Sequence, residues 1–401
     1  MIIAWLLLGC GAGPAGGGRV PPVDTTADAD PSAPITMSAT PTVADTGTLD
    51  AEDSEDTGPT DASTLTATTA DSGHSGRSGG TADTGAAAEL VVGQGHLGRM
   101  VRSAGTDGFD HDMSTDDTLV CWGSVDNEPD CDHRDDTARG LGFGQGWFVS
   151  TWGWGAPGEI TRSQDGITWE TVHSGTTAAG IAYGEGAAYP DGVFLAGDWA
   201  PLRSTDDGAT WTPLSWAVDA NPRGITHVDA GGGRFLLFND GPLRVSADAG
   251  DSWTIPPAPA GCGVGPEFLF AGGAAYGDGT LLVVSGDGTA CRSTDDGASF
   301  TPAEAVGAWL SARVRWVGDR FEVFSPGQRH TSTDGLQWST EATVPAVTLD
   351  AVTALADGTR VGIGGWYADQ QAWSSTDGVH WSPVAFTGGH PVTALVAGRP
   401  D

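Results

Sequence analysis

The chain has 401 residues, a formal net charge of −34, and 18 arginines but no lysine. Because like charges repel, so acidic a chain is a poor partner for nucleic acid or for anionic lipid surfaces. The absence of lysine also excludes a P-loop, a lysine Schiff base and a pyridoxal site.

The first ten residues are apolar and end in L-L-G-C, with the cysteine at Cys10. This ending resembles the lipobox of bacterial lipoproteins, and the run has the length of a signal-peptide core, which is too short to span a bilayer. We expect residues 1–10 to be a lipoprotein signal peptide and Cys10 to carry the lipid. Gly11 in place of Asp favours the outer membrane of the cell envelope over the inner membrane. No basic residue precedes the run, which we attribute to a start codon assigned too far downstream; a chance match in a cytoplasmic protein is the alternative.

Residues 11–88 consist mainly of Thr, Asp, Ala, Ser, Gly and Pro. Such a segment cannot bury a core, and we expect a disordered tether that holds the rest of the chain about 50 Å from its anchor. The D-T-G and G-R-S-G-G motifs within it lack the strand context of a protease or hydrolase. Alternating apolar strands begin near Glu89, so residues 89–401 are predicted to form one folded domain.

One short phrase recurs six times: a serine, an aspartate two residues later, a glycine and then a large aromatic residue. The copies lie at 163–169, 204–211, 246–253, 293–300, 332–338 and 375–381. The closing aromatics are 42, 42, 47, 38 and 43 residues apart. A period of this length indicates a repeat architecture whose unit is a blade of about four strands.

Each phrase has the chemistry of a tight turn, because Ser and Asp side chains bond nearby amides and glycine accepts a positive φ. The phrases resemble the Asp-box, or BNR, repeat of the sialidase-like β-propeller superfamily. In that family the boxes join the third and fourth strands of each blade, away from the binding face. The resemblance therefore implies structural roles for the six aspartates, which are Asp165, Asp206, Asp248, Asp295, Asp334 and Asp377.

A second repeated element, a short apolar segment about twenty residues before each box, is predicted to be the inner strand of a blade. Copies lie at 138–146, 179–186, 223–228, 270–279, 312–318 and 351–358, and a seventh lies at 391–398. The segment that begins at Glu89 has no inner strand before it, so the two ends of the domain should complete one blade. We therefore predict an all-β, seven-bladed β-propeller closed by its terminal strands, with six or eight blades as the alternatives.

Four cysteines besides Cys10 are an even number, as expected for an oxidising compartment. We predict disulfides between Cys121 and Cys131, which would close one acidic loop, and between Cys262 and Cys291, which lie within one blade. Zinc is the alternative, although no C-x-x-C spacing is present.

The face opposite the boxes is the predicted ligand-binding face, because it receives the loops between second and third strands and between blades. Its candidate residues are His96, His133, Arg134, Trp152, Trp154, Asp198, Trp199, Asp240, Asp287, Trp366 and Tyr367. Aromatic rings beside carboxylates suit the recognition of a sugar or a peptide. The alternative is that the tryptophans pack between blades and the aspartates are ordinary turn residues.

The acidic insertion on this face has several carboxylates within eleven residues, at Asp126, Asp130, Asp132, Asp135 and Asp136. Hard oxygen ligands are what calcium needs, but the spacing matches no known calcium loop, and a solvated acidic loop is the alternative. We predict no other cofactor.

The resemblance to sialidases implies an enzyme only if three arginines, a tyrosine nucleophile with a glutamate partner and an acid/base aspartate are present. The arginine-isoleucine-proline opening is absent, and only four tyrosines exist. The repeat also resembles the non-catalytic photosystem II assembly-factor propellers. The sequence therefore favours a monomeric, lipid-anchored binding or scaffold module for a protein or glycan ligand, with glycoside hydrolysis as the alternative.

Overall fold

A computed structural model describes residues 88–96, 98–113, 138–153, 158–175, 180–186, 189–197, 201–215, 224–228, 233–238, 242–260, 262, 273–365 and 367–400. The chain divides into two units, 1–79 and 80–401, and all of these residues belong to the second. The second unit is an all-β propeller of antiparallel sheets. Within the described ranges, no helix is long and apolar enough to cross a membrane.

The first three sheets are four-stranded. Sheet 1 contains β1 (Leu90–Gly95), β2 (Met100–Ala104), β3 (Phe109–Met113) and the last strand of the chain, β27 (Val392–Gly398). Sheet 2 contains β4 (Ala138–Gly144), β5 (Trp147–Trp152), β6 (Glu159–Ser163) and β7 (Glu170–Ser174). Sheet 3 contains β8 (Ile181–Gly186), β9 (Tyr189–Ala196), β10 (Leu202–Ser204) and β11 (Thr212–Pro213).

Sheet 4 has three strands, and the remaining sheets have four. Sheet 4 contains β12 (Gly224–Val228), β13 (Arg234–Phe238) and β14 (Arg244–Ser246). Sheet 5 contains β15 (Gly273–Gly277), β16 (Thr280–Val284), β17 (Ala290–Ser293) and β18 (Thr301–Pro302). Sheet 6 contains β19 (Arg315–Val317), β20 (Arg320–Ser325), β21 (Gln328–Ser332) and β22 (Ser339–Ala342). Sheet 7 contains β23 (Ala351–Ala354), β24 (Arg360–Gly364), β25 (Gln371–Ser375) and β26 (Ser382–Val384), with a 3-10 turn at Tyr367–Asp369 between β24 and β25.

The core lies between neighbouring sheets, and β16 illustrates why. Its residues are buried on both faces, because alternate side chains of a strand point to opposite sides. Leu281 and Val283 pack against Leu236 of sheet 4, whereas Leu282 and Val284 pack in a cluster with Phe321 of sheet 6. A central strand of this kind is therefore a continuous apolar run, while outer strands such as β22 are exposed.

The number of complete four-stranded blades is six, not the predicted seven, because sheet 4 lacks a fourth strand in the described residues. After β14 the chain forms a single bridge, between Val245 and Thr254, at the place where the other sheets add their outer strand. Pro256 and Pro257 follow Thr254 almost at once. Proline has no amide hydrogen to donate, so the ladder ends after that bridge.

The six serine–aspartate turns follow the third strand of their sheets. At the first, the Ser163 hydroxyl donates to Asp165 Oδ1 at 2.9 Å, and the same oxygen accepts from the amides of Ile167 at 2.8 Å and Thr168 at 2.7 Å. Gly166 adopts a φ of 71°, and its carbonyl oxygen accepts a hydrogen bond from the indole of Trp169. The serine-to-aspartate bond recurs in the other five turns. These turns and the hairpins between first and second strands define one face, the turn face.

The opposite face, here called the mouth face, carries the connections between second and third strands and those from one sheet to the next. The N- and C-terminal strands of the domain meet in sheet 1, where β1 pairs antiparallel with β27 from Leu90 opposite Gly398 to Gly95 opposite Val392.

The predicted disulfide between Cys262 and Cys291 is confirmed, with a Cα–Cα distance of 5.8 Å. It ties the long connection after sheet 4 to strand β17, and both half-cystines lie in the core between sheets 4 and 5. Cys121, Cys131 and Cys10 lie outside the described residues.

Candidate functional site

The centre of the mouth face contains a cavity of about 60 Å³ with one arginine and one aspartate in its lining. Arg313 stands two residues before β19, and Asp350 directly precedes β23. The other lining residues are Leu141, Ala351, Val352, Thr393, Ala394 and Leu395, which belong to β4, β23 and β27. Because these are the first strands of their sheets, the cavity lies where the inner strands converge.

The two charged groups of the cavity have different environments. The Arg313 side chain is exposed to solvent, yet desolvation by surrounding protein lowers the pKa of its guanidinium. Arg313 lines the cavity, and its guanidinium stays charged because the ordinary pKa of arginine is so high. Burial raises the pKa of Asp350, while a hydrogen bond from the Gly365 amide at 3.0 Å partly offsets that effect.

Trp309 lies on the same inter-sheet connection as Arg313 and is the most exposed large apolar side chain of the described residues, at 70%. Its neighbours hold it in place: the Val306 amide donates to the Gly288 carbonyl and the Leu310 amide donates to the Gly286 carbonyl, both at 2.8 Å. Leu310 itself is buried. The indole is therefore presented to solvent by a segment that is fixed on both sides.

Asp287 is at the tip of the β16–β17 turn that holds this connection. Its Oδ1 accepts from the Ser285 hydroxyl at 2.6 Å and from the Thr289 amide at 2.8 Å. Burial opposes ionisation of Asp287, but the hydrogen bonds from Ser285 and Thr289 outweigh it, so its pKa is lowered. Asp287 therefore stays ionised beside the Trp309 connection.

Arg99, at the β1–β2 end of the mouth face, is fully buried and has a structural role. Its guanidinium donates to both carboxylate oxygens of Asp112, to Gln370 Oε1 and to the carbonyl oxygens of Thr387 and His390. These bonds join sheet 1 to the connection that leaves sheet 7. All five of its N–H donors have acceptors, so the Arg99 guanidinium is fully hydrogen-bonded and links sheets 1 and 7.

A buried charge cluster lies between sheets 6 and 7. Glu322 accepts from Arg329 Nε at 2.7 Å and from Arg360 Nη2 at 3.0 Å, and its side chain has no exposed surface. Arg315 is nearby, and burial lowers its pKa to about 10 while the charge of Glu322 opposes that shift. This carboxylate is held by arginines and is not available to a ligand.

A hydrogen-bonded Ser–His pair, of the kind that hydrolases use, is present in sheet 6, but it is buried. Ser325 Oγ lies 2.8 Å from His330 Nε2, and His330 Nδ1 lies 2.9 Å from Thr340 Oγ1. Both Ser325 and His330 are buried, and burial lowers the pKa of the imidazole. The third group is a hydroxyl and not a carboxylate, so the set lacks the orienting acid of a catalytic triad.

The carboxylates of the six turn aspartates accept hydrogen bonds from residues of their own turns. Burial opposes ionisation of Asp165, but hydrogen bonds from the amides of Thr168 and Ile167 and from the Ser163 hydroxyl outweigh it and lower its pKa. The pKa of each of the other five is lowered as well. No group of His, Cys, Asp or Glu within the described ranges could hold a metal ion. The calcium-loop candidate at 126–136 lies outside those ranges.

The structure places the residues predicted for the binding face in different environments. Trp152 differs from the expectation: it is buried, and its indole donates to Thr161 Oγ1 at 3.2 Å, because the last residue of β5 still faces the core. The His96 amide donates to the Pro391 carbonyl, and Asp287 occupies the turn described above. Tyr367 is the first residue of the 3-10 turn, and the structure describes its backbone only. The residues wholly outside the described ranges are His133, Arg134, Trp154, Asp198, Trp199, Asp240 and Trp366.

Sequence reasoning missed Trp309, Arg313 and Asp350. Asp350 directly precedes the inner segment predicted at 351–358, and Arg313 lies inside the one predicted at 312–318. That position was the available indication, because inner strands start at the centre of a propeller's mouth face.

Comparison with solved structures gives similarity of fold. A protein from Lactobacillus plantarum superposes with a TM-score of 0.51 at 10% identity, over 78% of this chain and 99% of that one. YCF48 bound to D1 peptide gives a TM-score of 0.44 at 16% identity, over 61% and 81%. A GH74 enzyme from Niastella koreensis gives 0.41 at 15% identity, over 78% and 66%. No protein-family model and no curated protein matches the chain.

Proposed function

We propose that this protein is a non-catalytic binding or scaffold module that takes up a protein or glycan ligand at its mouth face. The observation that carries the proposal is the placement of Arg313 and Asp350 in the central cavity, with Trp309 exposed on the connection that leads to Arg313. A few polar groups that converge beside apolar surface are the usual composition of a binding site.

The main alternative is glycoside hydrolysis, which requires two carboxyl groups across the scissile bond. Asp350 is the one carboxylate in the described lining of the cavity, and Asp287 lies in a turn outside that lining. The arrangement therefore favours binding over hydrolysis.

We also propose that the ring is closed in sheet 1. The antiparallel register of β1 with β27 supports this. Closure of this kind removes exposed sheet edges, which are sites of aggregation.

The proposal includes an envelope location, with Cys10 lipidated and residues 11–88 acting as a tether. The support is the lipobox-like ending at Cys10 and the composition of the segment that follows. Cys10→Ser should move the protein from the membrane fraction to the soluble fraction of the cell. Unchanged membrane association of this variant would overturn the anchor.

The binding function is tested by applying the purified full chain to a glycan array and, in parallel, to a solubilised envelope extract of the source organism. We expect stable capture of a ligand without release of reducing sugar. Release of free sugar from a captured glycan would contradict the non-catalytic assignment and favour the hydrolase.

A further inference from the structure

Trp309 differs from the other exposed apolar side chains in its surroundings. The others are Ile167, Ile255, Leu336 and Val344. Ile167 and Leu336 lie in serine–aspartate turns, and Val344 forms a bridge with His380 of such a turn. Ile255 follows the bridge at Thr254. Of the exposed large apolar side chains in the described residues, Trp309 is therefore the one aromatic ring, and it lies on the mouth-face connection that leads to Arg313.

The segment around Trp309 is built to keep the indole exposed. Buried Leu310 anchors one side, and the amides of Val306 and Leu310 bond to the two ends of the turn at Gly286–Gly288. A Cβ atom added to Gly288 would stand 2.7 Å from the Ala308 carbonyl oxygen, so the two segments are in close contact. These contacts fix the backbone on both sides of Trp309, so a ligand meets the ring on a preformed segment.

We infer that Trp309 is the stacking platform for a pyranose ring of a neutral glycan, with Asp287 as the adjacent hydrogen-bond acceptor. This inference rests on the proposed binding function and names its ligand class. The aliphatic face of a sugar ring packs on a flat indole, and an ionised carboxylate accepts from sugar hydroxyls.

The surroundings favour a sugar over a protein partner. A specific protein interface buries about 800 Å² on each side and has an apolar or aromatic centre. Trp309 is instead flanked by Gly307, Ala308 and Ser311. Within the part of the chain that the structure describes, a single exposed ring flanked by small and polar residues matches the size of one or two sugar units. The net charge of −34 makes a polyanionic glycan the less favourable ligand at long range.

The test is native gel electrophoresis of the full chain through gels that contain a soluble neutral polysaccharide: a mixed-linkage β-glucan, a galactomannan or dextran. A gel with polygalacturonate is the polyanionic comparison. Trp309→Ala removes the platform, Trp309→Tyr keeps a flat ring, and Ile255→Ala is the control for loss of an exposed apolar side chain. Thermal unfolding of each variant shows that it is folded.

We expect at least one neutral polysaccharide to slow the wild-type chain, with about tenfold weaker binding by Trp309→Ala and near-normal binding by the other two variants. The inference is overturned if no neutral polysaccharide slows the wild-type chain, or if Trp309→Ala binds as the wild type does. Retardation by polygalacturonate alone would overturn it too. If the chain instead captures an envelope protein through Arg313, the binding function stands and the glycan assignment fails.

Discussion

The amide of Leu310 donates a 2.8 Å hydrogen bond to the carbonyl oxygen of Gly286. This bond joins the connection that carries Trp309 to the turn that carries Asp287, so an element between two sheets is fixed by a turn within one sheet. The candidate site on the mouth face therefore depends on the packing of these two segments, and a change in the turn should displace the Trp309 indole.

Gly288 is the position where that dependence can be measured. Gly288→Ala places a Cβ 2.7 Å from the Ala308 carbonyl oxygen and should displace the Trp309 connection. Gly279→Ala is the matched control, because Gly279 also has a positive φ, 70° against 85°, but an added Cβ meets nothing within 4 Å. Backbone strain should lower the free energy of unfolding of both variants by about 1 kcal/mol. Gly288→Ala should lose further stability because of its contact with Ala308, and it should bind ligand more weakly. Denaturant unfolding and ligand titration check this; equal behaviour of the two variants would contradict it.

Removal of the Glu322 carboxylate should destabilise the fold strongly. Glu322→Ala leaves Arg360 buried without its counter-charge and leaves Arg329 with the half-exposed Glu341 as its remaining carboxylate, and breaking a buried ion pair from one side costs about 3–5 kcal/mol. Glu170→Ala is the control, since Glu170 pairs with Arg162 at the surface and such pairs contribute about 1 kcal/mol or less. The free energy of unfolding in urea distinguishes the two. A Glu322→Ala variant as stable as Glu170→Ala would show that the cluster does not hold sheets 6 and 7 together.

We expect the buried carboxylate of Asp350 to lower the free energy of unfolding at neutral pH. Burial holds its folded-state pKa above the unfolded value, so the folded chain binds the proton more tightly and stability falls as pH rises from about 4 through the folded-state pKa. Asp350→Asn removes this titration while its amide oxygen can still accept from Gly365. The variant should have a higher thermal midpoint than the wild type at pH 7 and a similar one at pH 3. A lower midpoint at pH 7 would contradict the assignment.

Deletion of residues 392–401 tests the pairing of the terminal strands. Without β27, strand β1 keeps β2 but loses its other partner and becomes an exposed sheet edge, so aggregation or loss of cooperative unfolding is expected. Deletion of residues 11–79 is the comparison and should leave the melting curve unchanged, because that composition buries no core. A C-terminal deletion that melts as the full chain does would show that the domain is not closed in sheet 1.

The sequence predicts the fold well because each repeat carries its own turn chemistry, and the six serine–aspartate bonds form at the predicted places. Sheet 4 departs from the pattern for a local reason, the prolines after Thr254, whose effect on strand pairing depends on register. Trp152 departs from the expectation for the binding face because the alternation of residues in a strand does not show which residue is its last. Arg313 and Asp350 come from successive connections between sheets, and their shared place in the lining of the cavity depends on how those sheets pack, which no local motif encodes.

The most direct test of the mouth-face assignment compares ligand capture by Arg313→Ala and Arg320→Ala in the full chain. Arg320 is the first residue of β20 and lies at the turn face, where it pairs with Asp319 at 2.8 Å, so the two variants remove the same charge at opposite faces of the propeller. On the glycan array and the envelope extract, Arg313→Ala should capture at least tenfold less ligand than the wild type, and Arg320→Ala should capture the same amount. Equal capture by the two variants, or a loss confined to Arg320→Ala, would contradict binding at the mouth face.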